Sequence, residues 1–486
     1  VIHILFNHID LEPYFRIKDI RGRGLIKRRI NTITVPGMDG EYVESIDTPS
    51  KVLEVDIRII SGDLRKTIDT LNSILATDEP VPIVFPDEPE MIYYGTVETS
   101  EETGERVHLG RHDSTIYIRR SDPYKYGPEQ SRQFISDVHS VRNDGTAEAK
   151  PIIELTVKEP ITFAMVQNSN DLIKIGNEFY PKYMMLGKSI DVENQVPFVK
   201  FERVFHSVGN SLTGWSPHDS VDGGSVSGQM ETNGTRFQAA NYGTGTSWHG
   251  PAIKRGLTVT EPLQDFRLET TIGFWNGQPQ QVGRVEIYLL DINGNQVAKV
   301  AMKDTKSGRS LAMGEVRAGD ASNNYYLISG PASHDDGWNN FYGVLRVERE
   351  GNIWKAYIGK INQNTGEHHW RRAVEWPDNE GKFTRTVAQV VVHVGRVGTH
   401  TSGAMGVYDV SVYKINKQQD GVPYIAGPGD KIVFDSTTGD AFINGEPRND
   451  LLDFGSDFIN LVKGDNQLVV HPSGFDKVLR YRKRYR

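Results

Sequence analysis

The chain predicts a mainly β protein of several domains, with one α-helix near its N-terminal end. Three observations lead there. Its 486 residues exceed what one hydrophobic core organises, so roughly two to four domains are expected. Runs in which apolar and polar residues alternate recur along almost the whole length, whereas only one stretch has a convincing helical period. All seven tryptophans fall between residues 203 and 418, a shift in composition that marks a separate unit inside the chain.

Composition narrows the function classes. With 37% hydrophobic and 24% charged residues, the chain has ordinary globular proportions, so no disordered or fibrous class is indicated. No run approaches ~18 consecutive apolar residues, so no membrane partner is expected. The first residues lack the basic, apolar and small-residue layout of a signal peptide. The chain starts at Val1 without methionine, so a short N-terminal piece is expected to be missing or processed. A net charge of -8 argues against direct nucleic-acid recognition. The absence of cysteine removes disulfides, zinc–thiolate sites, iron–sulfur clusters and thiol nucleophiles. Neither a Walker loop nor a dinucleotide fingerprint occurs, and no cofactor is expected.

Residues 1–49 read as strands and turns. Ile2, Ile4 and Phe6 alternate up to an Asn7-His8 turn, and Ile30, Ile33 and Val35 lead into the loop Pro36-Gly37-Met38-Asp39-Gly40. Next comes the most informative stretch. Leu53, Val55, Ile57 and Ile59 alternate with Glu54, Asp56 and Arg58, a half-buried strand. The period then changes: Leu64, Ile68, Leu71 and Leu75, with Ile74 beside them, share one helical face. Ser61 or Asp63 is placed to cap the helix, and Pro80 and Pro82 to stop it. Strands follow at Ile83 to Phe85 and Ile92 to Val97, and the block's last strand is Thr115 to Arg119. The two prolines of Asp122-Pro123-Tyr124-Lys125-Tyr126-Gly127-Pro128 mark a boundary.

These segments resemble the phage distal tail protein family. VPGMDGEY (35–42), the strand–helix–strand unit, TDEPVPIVFPDEP (77–89) and SDPYKYGPE (121–129) carry the likeness, together with the C-terminal stretch from Asp430 to Val470. The resemblance covers roughly the first 200 and the last 65 residues. It implies an N-terminal ring-forming (belt) domain over 1–128, β-sandwich-like with one helix. It also implies a galectin-like β-sandwich built from 129–202 plus 419–486. The separation of those two pieces implies an insertion at 203–418, in a surface loop whose ends lie close together.

The insert reads as β throughout. Phe266, Leu268, Thr270 and Ile272 alternate, and Val285 to Leu290 and Val297 to Met302 flank an Asn293-Gly294 hairpin turn. Phe341 to Glu348, Ile353 to Gly359, Val387 to Val394 and Gly406 to Lys414 continue the pattern, a sandwich or jelly roll. The strand content and GVYDVSVYKIN (406–416) resemble the concanavalin-like sandwiches used as sugar-binding modules. Pyranose rings stack on indole and bond through their hydroxyls to amides and carboxylates. The candidate carbohydrate-binding residues are therefore Trp248 and His249, Trp275 and Asn276, and Asp336, Trp338 and Asn339, each group in a turn-like stretch. Asp335 adds another carboxylate beside Asp336. Packing of the sandwich core is the competing role for each tryptophan, and it is the expected one for Trp354 and Trp376.

Other chemistry is poorly supported. Asp291-Ile292-Asn293-Gly294-Asn295 imitates a calcium loop but lacks its glycine and closing glutamate, so a hairpin turn is expected. His368 and His369 are adjacent on a strand and point to opposite faces, which makes them surface residues. The insert has no Glu-x-Asp-x-x-Glu cluster for glycoside hydrolysis and the chain no Gly-x-Ser-x-Gly elbow, so no enzyme activity is expected. The basic run at Lys477, Arg480, Arg482, Lys483, Arg484 and Arg486 alternates with Leu479, Tyr481 and Tyr485. It reads as a strand, either a solvated edge or a surface for an acidic neighbour.

What the resemblance implies is a structural virion protein at the tip of a long non-contractile phage tail. It would form a homo-hexameric ring between the tail tube protein and the tail-tip fibre or lysin hub protein. The insert would bind host cell-wall polysaccharide during adsorption, with avidity from six copies. A purely architectural baseplate hub, whose insert docks other tail proteins, is the alternative; a tail-borne glycan hydrolase is the third reading.

Overall fold

The computed structural model describes residues 4–106, 110–190, 195–334 and 336–486. Ile2 and Asp335 lie outside the described residues. Strands dominate, and the helix Leu64–Leu75 is the sole α-helix among the described residues. Three main hydrophobic cores form, one near each end of the chain and one in its middle.

In the first core, Leu53, Val55, Ile57 and Ile59 of the strand Lys51–Ile60 are all buried, as their alternation requires. That strand pairs with Arg16–Arg21 on one side and Arg111–Arg120 on the other, and Ile92–Arg106 follows. Leu64 and Leu71 of the helix are buried against this sheet, each worth about 1.5–3 kcal/mol of burial. Asp63 is the N-cap, its carboxylate accepting from the Lys66 N–H at 3.2 Å. The helix ends before the prolines act. Ala76 turns to extended backbone while its N–H still donates to the Asn72 carbonyl, and Pro82 already belongs to the strand Val81–Val84.

The hairpin formed by Arg29–Ile33 and Tyr42–Asp47 stands apart as a two-stranded sheet of its own. Its apolar residues face solvent: Ile30 is 59% exposed, Tyr42 62%, Val43 58% and Ile46 55%.

The second core lies between two sheets, one with the strands Lys125–Phe134, Phe475–Tyr485, Ile152–Val157 and Lys431–Asp435, the other with Val138–Asn143, Gly464–His471, Phe163–Ile175 and Glu178–Gly187. The strand Lys125–Phe134 runs straight through position 128/129, pairing Tyr126 with Ile92 and its full length with Phe475–Tyr485. Pro128 falls where that ladder shifts register, so its missing N–H removes no regular pairing. A shared strand, not a loop, therefore joins the first two cores.

The basic C-terminal strand is not an edge, which corrects the expectation of a solvated edge. It is central, hydrogen-bonded on both sides, and three of its cations meet carboxylates of this same chain: Lys477 with Asp137 at 2.8 Å, Lys483 with Asp144 at 3.0 Å, and Arg480 with Glu154 at 3.6 Å.

The chain enters and leaves the middle unit through neighbouring strands. Val196–Phe198 pairs parallel with Gly421–Pro423, and Phe201–Val208 pairs antiparallel with Met405–Ile415. Between them two sheets enclose the largest core. One runs Gln229–Thr232, Phe237–Asn241, Met405–Ile415, Phe266–Phe274, Phe341–Glu350, Ile353–Ile361 and His368–Pro377; the other includes Gln389–Val397, Gly283–Leu290, Gln296–Asp304, Met313–Gly319 and Asn324–Gly330. The Asp291–Asn295 segment is a hairpin turn, its Asp291 carboxylate accepting from the Asn293 and Asn295 N–H groups at 2.8 Å.

This middle unit is also clamped to the second core. Arg346 forms a bidentate pair with Glu446 at 2.9 and 2.7 Å and reaches Glu269 at 2.7 Å. The His368 N–H donates to the Gly445 carbonyl at 2.9 Å. A side chain at Gly445 would meet the Gly366 carbonyl at 2.1 Å, so glycine is needed for this approach. His368 is thus buried, bonded to the Tyr357 hydroxyl at 2.8 Å, and is not the surface residue that strand alternation suggests.

Candidate functional site

The predicted sugar-binding residues divide sharply. Trp338 is fully buried (0% exposed) in the core. The turn that carries it closes with the Gly337 N–H on the His334 carbonyl and the Asn339 N–H on the Asp336 carbonyl, both at 3.0 Å, and the indole points inward over Gly314. Its N–H donates to the Trp370 carbonyl. It cannot stack on a ligand.

Asn276 and Asn339 are braces. Asn276 donates to Asp304 at 2.7 Å and to the Asn339 side chain at 3.1 Å, and accepts from the Asn340 N–H at 3.0 Å. Asn339 accepts from the Ala312 N–H at 2.8 Å and donates to the Ser310 carbonyl at 2.9 Å. These amides satisfy buried backbone groups and hold neighbouring loops together, so they are spent on structure. His249 is buried as well, its Nδ1 2.9 Å from the Ser247 carbonyl.

Trp248, Trp275 and Asp336 remain at the surface, the tryptophans half-buried and Asp336 exposed. The Arg284 guanidinium lies 4.9 Å from the Trp248 ring centroid and that of Arg236 5.4 Å from the Trp275 ring, so each indole already holds a cation–π partner. Trp354 is buried, and Trp376 packs against the core with Tyr325 stacked on it at 3.7 Å.

The aromatic that the sequence reading missed is Trp370, in the strand His368–Pro377. It is the one tryptophan of the seven that is exposed, at 41%. Its φ is +45°, in the left-handed region that a bulky side chain rarely adopts, at a cost of roughly 1–3 kcal/mol. The register with Ile353–Ile361 slips here, between Ile358 and Lys360, so a bulge turns the ring outward. No periodicity in His368 to Pro377 announces that bulge.

The outer face of the Gly283–Leu290 sheet carries a buried ionic cluster. Lys299 lies 3.1 Å from Glu286, 2.7 Å from Glu315 and 3.3 Å from Asp222, and Arg317 lies 2.6 Å from Asp222. Burial favours the neutral acid, but Lys299 and Arg284 beside it outweigh that and hold the Glu286 carboxyl down at about 2. Burial pushes His393, next to it, down to about 4. Glycoside cleavage needs a carboxylic acid that keeps its proton near neutrality, and Glu286 is in the opposite state. Among the described residues, no group of three or more histidine, aspartate or glutamate side chains is placed to hold a metal ion.

Comparison with known proteins bears on both ends of the chain. Residues 8–107 match the family model described as phage tail protein RIFT-related domain, and residues 404–485 match the siphovirus-type tail component, C-terminal domain. The distal tail protein of Bacillus phage SPP1 is 34% identical over 157 residues, 32% of this chain and 61% of that protein; the aligned region thus spans about three-fifths of that relative. The crystal structure of SPP1 Dit is similar at 30% identity and a TM-score of 0.33, over 39% of this chain and 75% of that one. The CBM2 module of the evolved Dit of Lactobacillus casei BL23 phage J-1 is similar at 15% identity and a TM-score of 0.40, over 45% of this chain and 98% of that module.

Proposed function

The chain belongs to the phage distal tail protein family and is a component of the phage tail, and from that premise we propose that it forms the hexameric ring joining tail tube to tail-tip proteins. The observation that carries the ring is the apolar hairpin of Arg29–Ile33 and Tyr42–Asp47. A lone two-stranded hairpin is marginal in water, and Ile30, Tyr42, Val43 and Ile46 leave its apolar side chains uncovered. A contiguous exposed apolar surface of this kind marks an interface, and a ring of identical subunits supplies a partner for every copy. Residues 1–128 act as the ring domain, 129–202 plus 419–486 as the sandwich beneath it, and 203–418 as the unit the sandwich holds out to the periphery.

That peripheral unit binds host cell-wall saccharide during adsorption. Support comes from its concentration of tryptophan, from the exposed Trp370 and from Asp336 at its surface. On this reading the role is structural rather than enzymatic: the buried Glu286, paired with Lys299, is held ionised and supplies no acid for glycoside cleavage. A purely architectural hub is the second reading, favoured by the burial of Trp338 and the bracing roles of Asn276 and Asn339.

The ring is tested by the solution mass of the intact protein, measured by light scattering, beside a Val43→Lys, Ile46→Lys variant. A hexamer for the natural chain and a folded monomer for the variant are expected. A monomer at every concentration for both would refute the ring.

A further inference from the structure

We propose that Trp370 is the stacking platform on which the middle unit takes up a pyranose ring, with His334 and Asp336 as its polar rim. The proposal rests on the saccharide-binding reading above. Exposure of this indole is built in. The bulge in the strand His368–Pro377 aims the ring outward, and the left-handed backbone that this requires is pinned where the Trp338 indole N–H donates to the Trp370 carbonyl. Trp338, buried, thus anchors the tryptophan that is exposed.

The ring is held flat from below. Gly337 lies beneath it, close enough that a Cβ there would come within 3.0 Å of two ring carbons. His334 meets it edge-on at 5.4 Å. The strand is the last in its sheet, so no further strand walls off the indole. A part-exposed indole held against Gly337 suits the C–H face of a pyranose. Exposed His334 and Asp336, on the same loop, offer hydrogen-bonding groups to the hydroxyls at the ring edge. Trp248 and Trp275, by contrast, each hold a guanidinium. The ligand class is a pyranoside of the wall glycopolymer, taken by stacking and hydroxyl contacts without a metal.

The test titrates the intact protein onto purified Gram-positive cell walls, peptidoglycan with its attached glycopolymers. Trp370→Asn removes the ring but keeps a residue that tolerates left-handed backbone, so its unfolding temperature should equal or exceed that of the natural chain. Binding should weaken roughly tenfold or more, the scale of losing one aromatic anchor. Trp370→Phe should retain most of the affinity, and a Trp248→Ala, Trp275→Ala variant should bind like the natural chain. Natural affinity in a folded Trp370→Asn protein, with loss in the Trp248→Ala, Trp275→Ala variant, would overturn the platform and leave saccharide binding standing. No binding by the natural chain to any wall preparation would overturn saccharide binding itself, and the platform with it.

Discussion

Removing Glu446 tests whether the middle unit is clamped or merely tethered. Arg346 keeps 13% of its side chain exposed and Glu446 16%, so the pair is largely shielded from solvent. Glu446 contributes both oxygens, at 2.9 and 2.7 Å. Breaking a buried pair by deleting one partner costs about 3–5 kcal/mol, because the other charge stays desolvated. Glu269 remains 2.7 Å from Arg346 and is 29% exposed, which offsets part of that. A loss of about 2–3 kcal/mol is therefore expected for Glu446→Ala. An Arg346→Ala, Glu446→Ala double variant should lose less than the sum of the two single changes, since neither charge is stranded. Burial raises the Glu446 carboxyl, but Arg346 beside it outweighs this and leaves it below the usual range. A depressed folded value means that the contribution is present above the ordinary carboxylate range and is lost as pH falls through the folded value, so the clamp should loosen in acid. Urea unfolding of the three variants gives the energies, and hydrogen exchange at the His368 amide, bonded to Gly445, reports the junction itself. Exchange at His368 unchanged by Glu446→Ala, with additive energies in the cycle, would refute the clamp.

Two further predictions concern the middle unit alone. Lys299→Met strands Glu286, Glu315 and Asp222 against one another, and urea unfolding should show a loss of about 3–5 kcal/mol. The Glu286 contribution to stability is present above the ordinary carboxylate value and fades as pH falls from about 4.5 towards about 2, which acid titration of the intact fold by tryptophan fluorescence would follow. Trp338→Ala opens a cavity in the core and frees the Trp370 carbonyl, so it should cost about 3–5 kcal/mol and weaken wall binding although Trp338 itself touches no ligand.

Much of the architecture was legible because it rests on period. Leu53 to Ile59 alternates, Leu64 to Leu75 does not, and the sheet and helix stand where those patterns change. The insertion was legible from composition, and its two ends do lie in neighbouring strands. The errors share a physical cause: they concern which partner a side chain meets across space. Trp338 sits amid polar residues in a turn, as an exposed aromatic would, but the turn folds it inward. Trp370 sits in a strand like Trp354, and only a slip against Ile353–Ile361 turns it out. The basic C-terminal strand reads as an edge until Lys125–Phe134 and Ile152–Val157, far away in the chain, are seen to pair with it on both sides. His368 reads as surface because nothing in its neighbourhood announces Gly445, 77 residues away by numbering (445 − 368).

The most direct test of the central claim is a cryo-electron microscopy reconstruction of the tail tip of virions carrying this chain. A six-fold ring is expected at the distal end of the tube, its subunits touching through the hairpin of Arg29–Ile33 and Tyr42–Asp47, with six sandwich-sized densities held outward at fixed angles. A tip without six-fold symmetry, or one in which residues 203–418 are turned inward and covered by other tail proteins, would contradict it.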